Sequence, residues 1–189
     1  VGAFFRPGYV NNIMQNWLPS LDGVEAKLKA GAKVADVGCG AARNAAPMAG
    51  RGARVVGTDL ALPMLAAARE RAGAEGVAAR TSFVQARMDA LPLRDGSADL
   101  VVAHGIWNLA RSAAEMRQAM AEAGRIARPG AGLFVFTFSR ATLAPGDRPV
   151  PGETFVFTQF AGEPQCFLTE AELIDELGRA GFDRHPSGA

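Results

Sequence analysis

The sequence predicts a doubly wound α/β fold, a mostly parallel sheet with helices on both faces. Three observations predict it. Short apolar, β-prone runs alternate with helix-compatible segments along the chain. Those runs lack polar alternation, as strands do when both sheet faces are covered. Finally, the stretch Val34–Asn44 reads as strand, tight turn and helix start, with an acid in the strand and glycines at 38 and 40. A length of 189 residues, 49% apolar and 21% charged, suits one domain with a single core.

The elements can be justified in order. Residues 1–30 are expected to form a helical cap or lid, and residues 31–189 the main domain. Phe4-Phe5-Arg6 is an aromatic-basic cluster without periodicity. Met14, Leu18, Leu21, Val24 and Leu28 then recur every three or four residues, the spacing of one helical face. Pro19 breaks that helix in two and Gly31 closes the second half. Lys33–Val37 is the first strand, and a helix is expected from Ala42 to about Gly50. Residues 53–58 form a second buried strand ending at Asp59. Pro63 suits the first turn of the next helix, which runs to about Ala72.

Thr81–Val84 and Ala98–Ala103 are the third and fourth strands. Ser112 and Glu115 make a capping box, followed by inward Met116, Met120 and Ile126. Pro129-Gly130 ends that helix, and Leu133–Phe138 is the fifth strand. Residues 139–154 read as a proline- and glycine-rich loop, and Phe155–Phe160 as a short strand. Thr169 and Glu172 form a second capping box, opening a helix with Leu173 and Leu177 inward, which Gly181 ends.

Composition narrows the function. A formal net charge of +1 gives no electrostatic footprint for nucleic acid or an anionic membrane. Cys39 and Cys166 are far apart and belong to no metal-ligand spacing, so both are read as reduced thiols of a cytoplasmic protein. No apolar run is long enough to span a bilayer, and there is no signal peptide. No metal site is expected.

The glycine turn carries the chemistry. Glycine at 38 and 40 allows positive φ and lets a ligand lie against backbone. The following helix start offers free N–H groups. Asp36 sits just before the turn, where a carboxylate repels a pyrophosphate and favours a cationic ligand. Arg43 stands where the dinucleotide fingerprint has its third glycine. Asp59 follows Gly38 by 21 residues at the second strand end, placed to accept ribose hydroxyls or to cap the next helix. The third and fourth strand ends supply Arg87-Met88-Asp89 and His104-Gly105. His104 is a candidate acid or base, or lines the site through its backbone. Trp107 and Asn108 either line an acceptor pocket or pack against the next helix.

Taken together these motifs resemble the class I S-adenosylmethionine (SAM)-dependent methyltransferases, most of all their small bacterial single-domain members. Val34–Ala42 is similar to the family's glycine-rich first motif, and Gly57-Thr58-Asp59-Leu60 to its second-strand acid. Residues 88–93 and 95–102 resemble its third and fourth motifs, residues 125–131 the turn before the fifth strand, and residues 168–182 the late helix. The resemblance implies a Rossmann-like fold, SAM as cofactor and methyl transfer to a small-molecule acceptor. It implies that Asp36 and the Gly38–Gly40 turn hold the methionine portion, that Asp59 binds the ribose, and that Leu60 and Met88 pack on adenine. Cys39, Arg43, Met64, Asp89 and Gly105 complete the expected cofactor surroundings, with His104 presenting its carbonyl to the SAM ammonium.

Three departures stand out. Ala42 replaces a common third glycine, Ala86-Arg87 replaces a usual Gly-Asp pair, and the residues after Phe182 are too few for the family's closing antiparallel strands. Further residues are expected there, as at Val1, which is not a methionine. The aromatic residues Phe4, Phe5, Tyr9 and Trp17, with Phe155, Phe157, Phe160 and Phe167, are expected to form an apolar lid. Phe5 and Tyr9 are the candidate acceptor contacts within it. A nucleotide-linked oxidoreductase and a non-catalytic SAM-binding module are the competing readings, and homodimerisation is left open.

Overall fold

The computed structural model describes residues 23–159 and 162–183. Phe5, Tyr9 and most of the expected lid segment lie outside them, as does Phe160.

Helix α1 (Val24–Lys29) buries Val24 and Leu28, the two inward positions of the sequence pattern, and Gly31 leaves it at φ +87°. Five strands then form one all-parallel sheet in the order β3-β2-β1-β4-β5. They are β1 (Lys33–Val37), β2 (Arg54–Asp59), β3 (Thr81–Gln85), β4 (Ala98–His104) and β5 (Ala127–Phe136). The central strands β1 and β4 are almost wholly buried, which explains their continuous apolar runs. Helices α2 (Ala45–Gly50) and α3 (Leu62–Ala74) cover one face, over Val34, Val55, Phe83, Leu100 and Val102. Helices α4 (Ala113–Ile126) and α5 (Glu170–Arg179) cover the other, over Ala35, Val37, Val101 and Ala103. The doubly wound fold expected from the sequence is therefore present.

The differences have local causes. Helix α2 begins at Ala45 rather than Ala42, because Ala42 itself takes φ +58° and lengthens the turn. Strand β5 begins at Ala127, directly after α4. Its register against β4 jumps from the Ala98–Ala127 pair to Leu100–Gly132, so Pro129-Gly130 sits in an irregularity rather than ending a helix. No helix fills the connection between β3 and β4. Arg125 holds that connection instead, donating to the carbonyls of Leu91 (2.9 Å) and Leu93 (2.8 Å) and pairing with Asp95 and Glu122.

A second small sheet, missed in the sequence, follows β5. It pairs β6 (Phe138–Ser139), β8 (Gln165–Leu168) and β7 (Val156–Phe157), with β8 in the middle. Strand β7 is two residues long, where the sequence suggested a run to Phe160. The lid expectation fails for three of its rings. Phe155, Phe157 and Phe167 are buried, and Phe167 packs on Phe138 and Phe157 at 5.3 and 6.0 Å between centroids. Arg140 and Arg117 lie over Phe157 and Phe155, so these rings complete the fold. The Thr169–Glu172 capping box is formed in full. At Ser112 only half is: its hydroxyl accepts from Glu115 N, while the Glu115 carboxylate takes the N–H of Arg111.

Candidate functional site

The site lies where the sheet's central strands end. Asp36 is paired in register with Gly57 and Val102, so it sits between β2 and β4, one residue before β1 stops. Gly38 and Gly40 follow with φ of +69° and +50°, and buried Ala42 adds a third positive φ. A non-glycine residue there costs about 1–2 kcal/mol, which explains why a glycine is common at this position. The turn is held on three sides. Cys39 N donates to Thr58 O (2.9 Å), Gly40 N to Asp59 Oδ2 (2.9 Å), and Arg71 Nε of α3 to Ala41 O (2.8 Å).

Two acids meet this turn. Asp59 is half-buried and each of its oxygens accepts one backbone N–H: Oδ2 from Gly40 and Oδ1 from Ala61, both at 2.9 Å. A carboxylate has about four acceptor positions, so one per oxygen remains for ribose hydroxyls. The capping alternative is not formed: the N-cap of α3 is Ala61, without a side-chain cap bond, and Asp59 reaches only the N–H of Ala61 ahead of the helix. Asp36 is 1% exposed, and neither of its oxygens has a hydrogen-bond partner. Burial pushes its carboxyl up to about 7; the Asn44 amide and Ala45 N–H oppose that shift from outside full hydrogen-bond geometry.

His104 closes β4, half-buried, with its ring edge-on to Phe134 and Phe136 at 5.8 and 5.0 Å. Burial lowers its pKa, which keeps the imidazole neutral near pH 7. Its Nδ1 lies 3.3 Å from Asn44 Nδ2. Gly105, at φ +68°, ties the strand end to Phe136 O. Leu60 and Met64, beside Asp59, are 61% and 46% exposed, leaving apolar surface at the β2 end; Met88 is partly buried at the core margin. Arg43 is partly exposed on the turn.

Other candidates are placed differently from the expectation. Cys39 turns its thiol into the core, close against Gly57, and burial raises its pKa. Its N–H donates to Thr58 O of β2 and its carbonyl accepts from Ala42 N, so both backbone groups are already engaged. Trp107 is wholly buried in the core, where it packs, and Asn108 is 2% exposed with its Oδ1 buried and unpartnered, so neither presents open surface. Asp89 is clasped by Arg87 at 2.8 and 2.7 Å, which holds its carboxyl below the usual range. Asn44 was not anticipated. It stands at the N-cap of α2, yet its side chain makes no cap bond. The missed signal was one amide among the alanines of residues 41–49.

Among the described residues no group of histidine, cysteine or acid side chains could hold a metal, and no helix is long and apolar enough to cross a membrane. The structure thus sets a buried acid with unpartnered oxygens beneath a glycine turn, and a second acid at the end of the neighbouring strand, on an α/β sheet. Residues 35–136 match the methyltransferase domain family, and the chain belongs to it. That family and the fold make it a SAM-dependent methyltransferase.

Relatives agree. The chain is 43% identical over 88 residues to the demethylmenaquinone methyltransferase of Thermus thermophilus, covering 46% of this chain and 37% of that one. It is 29% identical over 196 aligned positions to the ubiquinone/menaquinone biosynthesis C-methyltransferase UbiE of Pseudomonas putida, covering 94% and 73%. In fold it is similar to the CcbJ methyltransferase of Streptomyces caelestis, at TM-score 0.68, 23% identity, and 86% and 79% coverage.

Proposed function

We propose that this methyltransferase acts on a small apolar acceptor of the quinone type and that the two acids divide the cofactor between them. The observation that carries the cofactor half is Asp36, a fully buried carboxyl with two unpartnered oxygens beside the glycine turn. An isolated buried carboxylate is costly, and a ligand cation offsets that cost. The methionine end of SAM carries an ammonium and a sulfonium, so the residues present fit it. Asp59 accepts the ribose hydroxyls, and exposed Leu60 and Met64 offer adenine an apolar surface.

SAM supplies a methyl group already electrophilic on its sulfonium, so the protein's share is alignment and exclusion of water. The acceptor side is apolar: Phe136 and Leu109 are 39% and 50% exposed, and Ile106 lies between His104 and Trp107. Such a rim suits a ring more than a charged metabolite, and the named relatives act in quinone biosynthesis. The reduced buried thiols fit a reducing compartment, so we place the protein in the cytoplasm.

Calorimetry with S-adenosylhomocysteine and NAD tests the cofactor half: binding of the first and none of the second is expected, and the reverse overturns it. Methyl transfer to a demethylated quinol, against a panel of phenol, amine and carboxylate acceptors, tests the acceptor half. Turnover confined to a charged acceptor would overturn the quinone assignment while leaving SAM binding intact.

A further inference from the structure

Asn44 connects two groups that the site otherwise keeps apart. It is 8% exposed and stands at the start of α2, with helical φ and ψ of −94° and −44°. An asparagine at an N-cap ordinarily accepts a backbone N–H through Oδ1. Here Oδ1 has no partner and the amide nitrogen faces the site, 3.3 Å from His104 Nδ1 and toward Asp36.

The orientation of this amide has chemical consequences. Turning it over would set Oδ1 toward the Asp36 carboxylate, an acceptor against an acceptor in a buried place, which is unfavourable. The charge of an ionised Asp36 therefore favours the nitrogen-inward orientation, though neither of its oxygens bonds to the amide in this geometry. That nitrogen only donates, so Nδ1 of His104 must accept. A neutral imidazole has a single ring proton, which then resides on Nε2.

We propose that Asn44 is a positioning residue of the methyl-transfer site: oriented by the charge of Asp36, it donates to Nδ1 of His104 and fixes the Nε2–H tautomer, so that His104 works as a hydrogen-bond donor through Nε2 and not as a base there. This rests on the reading that His104 borders the acceptor. It favours an acceptor that arrives already ionised, such as a quinol phenolate whose proton has left to solvent and whose oxygen can accept from Nε2–H, over one that must surrender a proton to the histidine.

Other described groups also face this relay. Asp59 lies close enough for its charge to act on Asp36, Cys39 beside them is kept a neutral thiol by burial, and Phe134 and Phe136 flank the ring without titrating. The only other histidine in the chain is His185.

The test is nitrogen NMR of histidine-labelled protein without cofactor, at pH 8, where Asp36 is ionised. A His185→Gln background leaves one histidine to observe. The expected spectrum has Nδ1 in the unprotonated range and Nε2 in the protonated range. Asn44→Leu should give mixed tautomers, and Asn44→Asp, which accepts from Nδ1–H, should reverse the assignment and raise the histidine pKa. A protonated Nδ1 in the parent protein overturns the proposal, even if neither variant folds. So does an unchanged tautomer in a folded Asn44→Leu. Calorimetry with S-adenosylhomocysteine on the same samples is a separate readout: loss of that binding with the tautomer as expected would count against the cofactor site and not against the relay.

Discussion

The ends of β1 and β2 each carry an acid, and the two are treated in opposite ways. Asp59 is bonded to two backbone N–H groups, that of Gly40, which fastens the glycine turn to β2, and that of Ala61 just after β2, so it is organised by the fold itself. Asp36, one strand over, is buried deeper and has neither oxygen paired. One carboxylate is tied into the fold, and the other is the group proposed above to meet the cation of the cofactor. Folding stability and ligand affinity therefore favour the same change at one acid and oppose each other at the other. Four substitutions break or sharpen that contrast.

The largest effect is expected at the turn between the acids. A Cβ on Gly38 would lie 2.5 Å from Ile106 Cγ1 and 2.7 Å from Ile106 Cβ, at a φ of +69°. Gly38→Val therefore combines backbone strain with overpacking, each about 1–3 kcal/mol. Its thermal midpoint should drop sharply and S-adenosylhomocysteine affinity should fall more than about a hundredfold. Gly40→Ala is the control. Nothing lies within 4 Å of its added methyl, so only the strain of φ +50° remains and folding survives. Equal behaviour of the two variants would show that Ile106 yields and that the turn is not the constraint.

Asp36→Asn should come next, with opposite signs for stability and binding. The carboxyl titrates near 3.8 when unfolded and about 7 when folded. Between those values the folded state holds a proton that the unfolded state lacks, so wild-type stability declines as pH rises from about 4 to about 7 and is level above. Asparagine removes that slope. The variant should match wild type near pH 4 and exceed it at pH 8 by up to ~4 kcal/mol in denaturant titrations. Ligand binding runs the other way. The ammonium of S-adenosylhomocysteine favours the anion, so wild-type affinity should fall about tenfold per unit below pH 7 and binding there should release a proton. The variant should bind more weakly at pH 8 and show no such slope. A wild-type affinity flat from pH 5.5 to 8 would mean that Asp36 does not meet the ammonium.

Asp59→Ala should weaken both properties together. It removes the partner of Gly40 N and Ala61 N, and with it the ribose acceptor. Hydrogen bonds to a charged group contribute about 1.5–3 kcal/mol each, so affinity should fall at least about tenfold while the fold persists. Unchanged affinity with reduced stability would confine Asp59 to holding the turn.

These two acids were legible in the sequence because local chemistry announces them: an apolar strand, an acid, then glycines or a helix start. The alternation of buried strands was equally plain, since a strand covered on both faces needs no polar positions. What stayed hidden depends on partners distant in the chain. Asn44 reads as one more residue of an expected helix until the fold sets it beside His104 from another strand. Gln165–Leu168 becomes a strand only through β6 and β7, which lie on either side of it. Trp107, so close to His104 in sequence, looked like a site residue. The turn after β4 swings its ring into the core, and sequence proximity carries no information about that direction.

The smallest effect is expected at Arg87, where the contrast between paired and unpartnered acids can be tuned from outside. Its guanidinium clasps Asp89 and reaches Glu115 at 3.3 Å, but the side chain is 57% exposed. Solvent-exposed pairs contribute little to folding. Glu115 also keeps its bond from Arg111 N when Arg87 is lost, so only Asp89 is orphaned, and that near solvent. Arg87→Met should therefore leave the thermal midpoint almost unchanged at neutral pH. Asp89, now held down by Arg87, should titrate higher in the variant, so whatever small stability the pair adds is lost at neutral pH and the difference from wild type closes as pH falls through the carboxylate range. Cofactor affinity is the informative reading. Freed of the arginine, Asp89 offers two acceptor oxygens near the expected adenine edge, and binding should hold or tighten by a few fold. The gain should vanish with the inosine analogue of S-adenosylhomocysteine, which has no amino group to donate. A marked loss of affinity would instead show that the Arg87–Asp89 clasp shapes the loop around the base, making a surface ion pair part of the cofactor site.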